Sequence, residues 1–296
     1  MISNLLGKDF KEYLENFSVE FNEKFNNLIT NKNYPKPLLE SMKYIALTGG
    51  KRIRPFLVCE VAKLFNIPFK ESVYAATAIE MIHCYSLIHD DLPAMDDDDI
   101  RRGYKTLHKK FDEATAILAG DALLTDSFQI ISKFYKDPKV AIKLITILSN
   151  LAGGSGMVGG QVLDLYPVSN NEKDILFMNK LKTGGLIKCS VLFGAIIGKA
   201  DEINMNNLSQ YGGLIGKAFQ ITDDILDISG TEEIIGKRVN KDRSSGKISL
   251  IDIYGKDGAT RIAKKSINDA KNIINRYGEK GFNLHQLTEY ILNRKK

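Results

Sequence analysis

Two stretches of this 296-residue chain concentrate carboxylates at spacings that suit a hard cation. The first, His89 to Gly103 (HDDLPAMDDDDIRRG), carries Asp90, Asp91 and Asp96 to Asp99, and Arg101, Arg102, Lys105, Lys109 and Lys110 follow at once. The second, Gln220 to Asp227 (QITDDILD), sets Gln220, Asp223, Asp224 and Asp227 three and four residues apart, so that they form one polar stripe on a helix. Oxygen-only ligands favour Mg²⁺ over Zn²⁺, and guanidiniums beside them suit a phosphate whose other oxygens the metal holds. A solvated acidic loop accounts for one such run by itself. Two, each followed by bases, are hard to assign to surface solvation. A calcium loop is excluded: counted from Asp96, Arg101 stands where glycine is needed and Leu107 where the bidentate glutamate is needed.

Both clusters require helices to place them. Ser72 to His89 is apolar at helical spacing, so Asp90 and Asp91 fall at a helix end that Pro93 terminates. That end is the negative pole of the helix dipole, which makes unpaired carboxylates there doubly unfavourable. The second cluster ends another long helix, with Gly230 as its stop, and the polar segment carrying Lys237, Arg238, Lys241, Arg243 and Lys247 reads as a flap. Upstream, Phe10, Tyr13, Leu14, Phe17, Phe21, Phe25 and Leu28 mark one face of a helix over about 9–28. Pro35 and Pro37 mark a turn before a helix ending near Leu47.

Gly49 to Pro55 (GGKRIRP) is a hinge carrying Lys51, Arg52 and Arg54, with Pro55 placed to open the next helix. It is either an anion site at a helix start or a connection with solvated bases. Phe56 to Phe65 is apolar almost all round and central. His83 lies about two turns before the first aspartates, on a helix aimed at them. Glu113 to Tyr135 predicts a long helix burying Ala114, Ile117, Leu118, Leu124 and Phe128, and Pro138 starts another through Leu151. The glycines at 153, 154, 156, 159 and 160 suggest close helix packing or a kink before GQVLDL. Lys182-Thr183-Gly184-Gly185 interrupts an apolar helix over Glu172 to Gly198, either to turn the Thr183 hydroxyl and nearby carbonyls into a cavity or to allow tight packing.

A 44% apolar, 26% charged composition describes an ordinary globular chain, and the net charge of +5, spread along the sequence, fits an anionic small substrate and gives little support for nucleic acid. Cys59, Cys84 and Cys189 are far apart in apolar surroundings and read as reduced, buried thiols of a cytoplasmic protein. The N-terminus lacks a signal peptide's apolar core, and no uninterrupted apolar run approaches bilayer length, so no stable membrane insertion is expected.

With GGKRIRP, IHCYSLIHDDLPAMDDDDIRRG, ATAILAGDALL, GGQVLDL, LKTGGLI and FQITDDILD in this order, the sequence resembles the trans-prenyltransferases, the short-chain isoprenyl diphosphate synthases, most closely the bacterial farnesyl diphosphate synthases. The resemblance covers nearly the whole chain. It implies one all-α domain over 1–296, a helical bundle of the isoprenoid synthase fold around a deep central cavity, with the aspartate clusters facing across its mouth. The implied reaction joins isopentenyl diphosphate to dimethylallyl and then geranyl diphosphate, through ionisation, condensation and proton loss.

The same resemblance implies three Mg²⁺ ions, with Mn²⁺ as an alternative, held by Asp90, Asp91 and Asp96 on one side and chiefly Asp223 on the other, with Asp224 and Asp227 in support. Arg101, Lys182, Lys237 and Lys247 surround the allylic diphosphate. Gly50, Lys51, Arg54, His83 and Arg102 hold isopentenyl diphosphate without metal, and Lys182, Thr183 and Gln220 supply dipoles to the carbocation. A homodimer is implied. Tyr85, roughly 7.5 Å along the helix from Asp90, resembles the floor that stops the chain at fifteen carbons, while Ser86 beside it is small enough to leave a twenty-carbon product open. Geranyl and geranylgeranyl synthases are the alternative products, a silent regulatory subunit the alternative of another class. Lys105 and Asp112 depart from the proline and glycine common in relatives, and the terminal Arg294-Lys295-Lys296 reads as a solvated tail in preference to a closing arm.

Overall fold

The apolar period that ends at the first aspartate pair forms helix α4, Phe69–Asp90, entered from Pro68 and capped by Asp91. A computed structural model describes residues 2–30, 32–169, 171–229 and 248–294. Before α4 come α1 (Ile2–Thr30), α2 (Lys36–Leu47) and α3 (Ile53–Leu64). After it, a two-residue antiparallel ladder, β1 (Ile100–Arg101) with β2 (Tyr104–Lys105), precedes α5 (Leu107–Lys110), α6 (Glu113–Phe134), α7 (Pro138–Ala152) and α8 (Met157–Leu165). Then follow α9 (Glu172–Lys182), α10 (Gly184–Ile197), α11 (Glu202–Ser229), α12 (Leu250–Ile274), a 3₁₀ turn (Asn275–Gly281) and α13 (Phe282–Asn293). The all-α expectation holds.

Helices apolar on every side end up inside. Every residue of α10 except Lys188 is buried, as is nearly all of α3. α3 packs on α4 and α10, α4 on α6, α10 on α11, and α11 on α12. One continuous cluster of buried side chains runs from Phe10 on α1 to Ile291 on α13. α1 contributes Phe10, Leu14, Phe17, Phe21, Phe25 and Ile29 to it, with Phe17 edge-on to Phe56 at 5.2 Å between ring centres. Tyr13 and Leu28, expected in that stripe, sit at its margin, and the Tyr13 hydroxyl donates to Glu60 at 2.7 Å. The three cysteines are buried and unpaired.

α6 corrects the sequence reading. Ala114 is exposed, as are Ile117 (45%) and Leu118 (60%), while Leu124 and Phe128 are only half-buried. The face that meets α4 carries Ala116, Ala119, Gly120, Leu123, Ser127, Ile130 and Ile131. The helix has two apolar faces, and the one with smaller side chains lets α4 approach. Glu113–Phe134 and Pro138–Leu165 are each long and apolar enough to cross a bilayer by length and composition, and in α6 that apolarity serves one packed face and one outward face.

The departures at 105 and 112 find local roles. Lys105 sits opposite Ile100 in the ladder, and Asp112 caps α6 by accepting from the Thr115 amide at 2.8 Å and its hydroxyl at 2.7 Å. α3 begins two residues before Pro55, with Arg52 as its cap at φ 49°. That backbone sends the Arg52 side chain inward, to Glu80, Asn22 and the Ala46 carbonyl, so one of the three hinge cations serves the core. Arg52 and Glu80 side chains are 1% and 3% exposed.

Removing one member of such a pair strands the other. Arg52→Met should destabilise the fold by about 3–5 kcal/mol in urea unfolding, and Arg52→Met/Glu80→Met should recover most of that loss. A double variant as unstable as the single one would show that the pair is not the source of the stability.

Candidate active site

Pro93 ends α4 and the chain turns back over the helix terminus. The Asp96 amide donates to the Asp90 carbonyl at 2.8 Å and the Asp98 amide to the Asp91 carbonyl at 3.2 Å, which brings the later aspartates over the first pair. Asp91 is 1% exposed, and its carboxylate accepts from Arg101 Nε at 2.7 Å; Arg101 also lies 3.6 Å from Asp98. Burial raises the Asp90 carboxyl to about 6, against the attraction of Lys182. Burial raises Asp91 as well, with the Arg101 hydrogen bond opposing it. Asp97, Asp99 and His108 bring ligand atoms within 4.8 Å of one another at the outer edge, with Lys109 3.1 Å from Asp99.

α11 carries the second cluster, and the break between α9 and α10 meets it. The Thr183 hydroxyl donates to the Gln220 side-chain oxygen, and the Gln220 amide donates to Asp224 at 2.8 Å. The break also sets Lys182, whose ammonium donates to Asp164 on α8 at 2.7 Å. α8 can lie this close because Gly160 has no side chain: a Cβ there would stand 2.2 Å from the Lys182 backbone nitrogen. The close-packing account of the glycines applies, and that packing is what sets Lys182 against Asp164 and Thr183 against Gln220. Lys182 acts on Asp90, and Thr183 reaches Gln220, so this break joins the two clusters. Asp223 pairs with Arg294 at 2.6 Å. That corrects the reading of Arg294 as solvated tail: its guanidinium stacks on Phe219 and is drawn inward.

The third group is cationic. Arg102 donates to the Gly49 carbonyl and lies 3.5 Å from His83 Nε2. Gly50, at φ 122°, leaves room for that guanidinium, since a Cβ would come 2.5 Å from it. Arg54 has a buried Nε with no hydrogen-bond partner, and burial lowers its pKa, with Glu80 and Asp223 opposing. Lys51 lies over the Tyr290 ring at 5.4 Å. Burial first, then Arg54 and Arg102, holds His83 well below its ordinary value, so it is neutral near pH 7. The guanidiniums around His83 are arranged for an anion, and their positive charge opposes a divalent cation there.

Tyr85 is 7% exposed, edge-on to His89 at 5.8 Å, and close enough to Asp90 for that charge to raise its pKa beyond the effect of burial. The Ser86 hydroxyl is turned back to the His83 carbonyl at 2.9 Å. Lys237 and Lys247 lie outside the described residues. Sequence reasoning assigned no role to Asp164 or Gln161, although both stand in GGQVLDL; Gln161 is buried with neither amide atom bonded. A cavity of about 1400 Å³ between α1 and α13 adjoins the cationic group, with Gly50, Lys51 and Arg294 among its walls.

A family model described as polyprenyl synthetase matches residues 35–291. The chain is 39% identical over 291 residues to farnesyl diphosphate synthase of Bacillus subtilis (strain 168), covering 97% of this chain and 96% of that one. It is similar to the crystal structure of an FPP/GFPP synthase from Zymomonas mobilis, with TM-score 0.86 and 35% identity over 97% of this chain and 99% of that one. Geranyltransferase from Helicobacter pylori, solved with magnesium and isoprenyl diphosphate, gives TM-score 0.80 and 33% identity over 94% and 96% of the two chains.

Because burial raises the Asp90 carboxyl to about 6, a divalent ion bound there would have to displace a proton below that pH. Isothermal titration with Mg²⁺ alone at pH 5.5, without diphosphate and its own titrating protons, should show proton release and affinity falling with further acidification by up to about tenfold per pH unit. At pH 8, where Asp90 is already ionised, the proton release should vanish. By the same sign, thermal stability without divalent ions should drop as pH rises through 6, and Mg²⁺ should restore it.

Proposed function

The chain belongs to the polyprenyl synthetase family, and we propose that it condenses isopentenyl diphosphate head-to-tail (1′-4) with dimethylallyl and then geranyl diphosphate, giving (2E,6E)-farnesyl diphosphate and diphosphate. It is an isoprenyl-transferring enzyme, as the kinship with bacterial farnesyl diphosphate synthases requires. The observation that carries the reading is the pairing of two unlike anion sites. Two acidic helix ends suit a metal-held diphosphate, and the Arg54, Arg102 and His83 group beside them suits one held without metal.

The donor set fits Mg²⁺: Asp90, Asp91 and Asp96 on one side and Asp223, Asp224 and Asp227 on the other offer only oxygen, and Asp90 is a buried carboxyl that a cation would stabilise as carboxylate. When bound, Mg²⁺, three ions in this reading with Mn²⁺ as a substitute, supplies the charge that stabilises the departing diphosphate. Arg101 and Lys182 reach the allylic diphosphate from their carboxylate partners Asp91 and Asp164, and Lys237 and Lys247 add charge from the following segment. Lys51, Arg54, His83 and Arg102 hold isopentenyl diphosphate so that its terminal carbon meets the allylic C1′ as the C1′–O bond breaks. Thr183 and Gln220, already bonded to each other, present fixed dipoles to the cation without reorganising. The buried aliphatic walls exclude water. The C2 proton of the isopentenyl unit leaves last, to the released diphosphate.

Tyr85 sets chain length in this reading: it is buried on α4 five residues before Asp90 and close enough to feel its charge. Ser86 favours one alternative, a longer product, and relatives of both kinds exist: an FPP/GFPP synthase and a geranylgeranyl diphosphate synthase of Cyanophora paradoxa at 38% identity. A terpene cyclase has no use for the cationic group, and a silent subunit would be expected to have lost aspartates that this chain keeps. We also place the enzyme in the cytoplasm, as one domain built on its continuous core and as a homodimer, for which the outward face of α6 with Ile117 and Leu118 provides apolar surface.

The pure protein with Mg²⁺, isopentenyl diphosphate and either dimethylallyl or geranyl diphosphate should give mainly the fifteen-carbon product, and Tyr85→Ala should shift it to twenty carbons or more. An unchanged product would remove Tyr85 as the floor, and no condensation would reject the enzyme itself. Leu118→Asp should convert a dimer to a monomer in analytical ultracentrifugation; a wild-type monomer, or a variant that remains dimeric, would move the interface elsewhere.

A further inference from the structure

Arg294 follows α13 directly, and its side chain runs into the second aspartate cluster. One guanidinium nitrogen donates to Asp223 at 2.6 Å and to the Phe219 carbonyl, one turn earlier on α11, at 2.9 Å. The guanidinium stacks on the Phe219 ring, 3.8 Å from its centre, and 4% of the side chain reaches solvent. Its Nε is buried and has no hydrogen-bond partner. Exposed ion pairs contribute little, but a stacked, desolvated guanidinium bonded to both a carboxylate and a backbone carbonyl is a fixed feature of the fold. Its position has an electrostatic cost, because it repels Arg54 in the neighbouring cationic group.

We propose that Arg294 is a positioning residue for the second metal cluster: it holds the Asp223 carboxylate in place before Mg²⁺ arrives and yields it when the ion and diphosphate bind. The inference rests on Asp223 being a metal ligand as proposed above. Mg²⁺ takes carboxylate oxygens at about 2.0–2.1 Å, which sets a double charge against a guanidinium already bonded to the same group. Like charges at that range in a partly buried site oppose each other strongly, so the pair must open or shift. Room to do so is at hand, since Arg294 borders the cavity between α1 and α13. Linkage makes the exchange reciprocal: docked Arg294 weakens metal binding by the same factor as bound metal weakens docking. Docked Arg294 thereby keeps Asp223 from pairing with Arg54 in the substrate-free enzyme.

The test is a Mn²⁺ titration followed by electron paramagnetic resonance, with inorganic diphosphate present, on wild type, Asp223→Asn, Arg294→Gln and Arg294→Lys. Asp223→Asn should lose part of the bound Mn²⁺; if it binds as wild type does, the metal-ligand reading itself fails. Given that loss, Arg294→Gln should bind Mn²⁺ about tenfold more tightly, and Arg294→Lys should return toward wild type. Binding by Arg294→Gln that is unchanged or weaker overturns the proposal and leaves Asp223 as a ligand. Hydrogen exchange on the wild type covers the case of an unstable variant. Amides of the last turn of α13 should exchange faster once Mn²⁺ and diphosphate are added, and exchange that is unchanged or slower overturns the proposal.

Discussion

The structure depends on neutralising carboxylates at helix ends that already carry negative dipole. Asp90 and Asp91 close α4, and Asp223, Asp224 and Asp227 lie in the last turns of α11, where no base follows within the helix. The chain answers with cations brought from elsewhere: Arg101 from the ladder onto Asp91, Lys182 from the end of α9 near Asp90, and Arg294 from beyond α13 onto Asp223. Each donor arrives on a different element, so the loop after α4, the break between α9 and α10, and the C-terminus are all tied to the same charge. Dissociating any of them leaves a carboxylate at the unfavourable pole of a helix.

That arrangement also separates the two proposed kinds of anion site. Oxygen ligands gather where cations can be exchanged, while guanidiniums gather around His83, whose burial and neighbours keep it uncharged. The hinge GGKRIRP serves both the core and the site because its backbone is kinked at Arg52. Arg52 turns inward to Glu80, while Lys51 lies over the Tyr290 ring and Arg54 is near enough to Asp223 and Arg102 to feel their charges. A buried ion pair of this kind is weak evidence of net stability, and its value here is in fixing which way the flanking cations point.

The glycine-rich stretches act by permitting contact. Gly160 brings α8 against the end of α9, and Asp164, one turn on, then fixes the Lys182 ammonium. Residues that do no chemistry therefore decide where the reactive side chains stand. The same holds for Asp112, whose departure from the family pattern gives α6 a side-chain cap and leaves the proposed ligands untouched.

Sequence alone determined the all-helical architecture, the family, and the two aspartate clusters near helix ends, because each is written locally: apolar period, the proline stop after Asp91, and carboxylates three and four residues apart. It also picked out the α9–α10 break, since glycine inside an apolar helix is a local signal. Only the tertiary structure decided which face of α6 packs, because Ile117 and Leu118 share a period as regular as that of Ala116 and Leu123, and periodicity does not say which of two apolar faces meets a neighbour. Partners distant in sequence were equally out of reach: Asp164 for Lys182, Glu80 for Arg52, and Arg294 for Asp223. A charge pair is fixed by where two backbones pass, and that is set by packing of the whole core, not by the residues that form the pair.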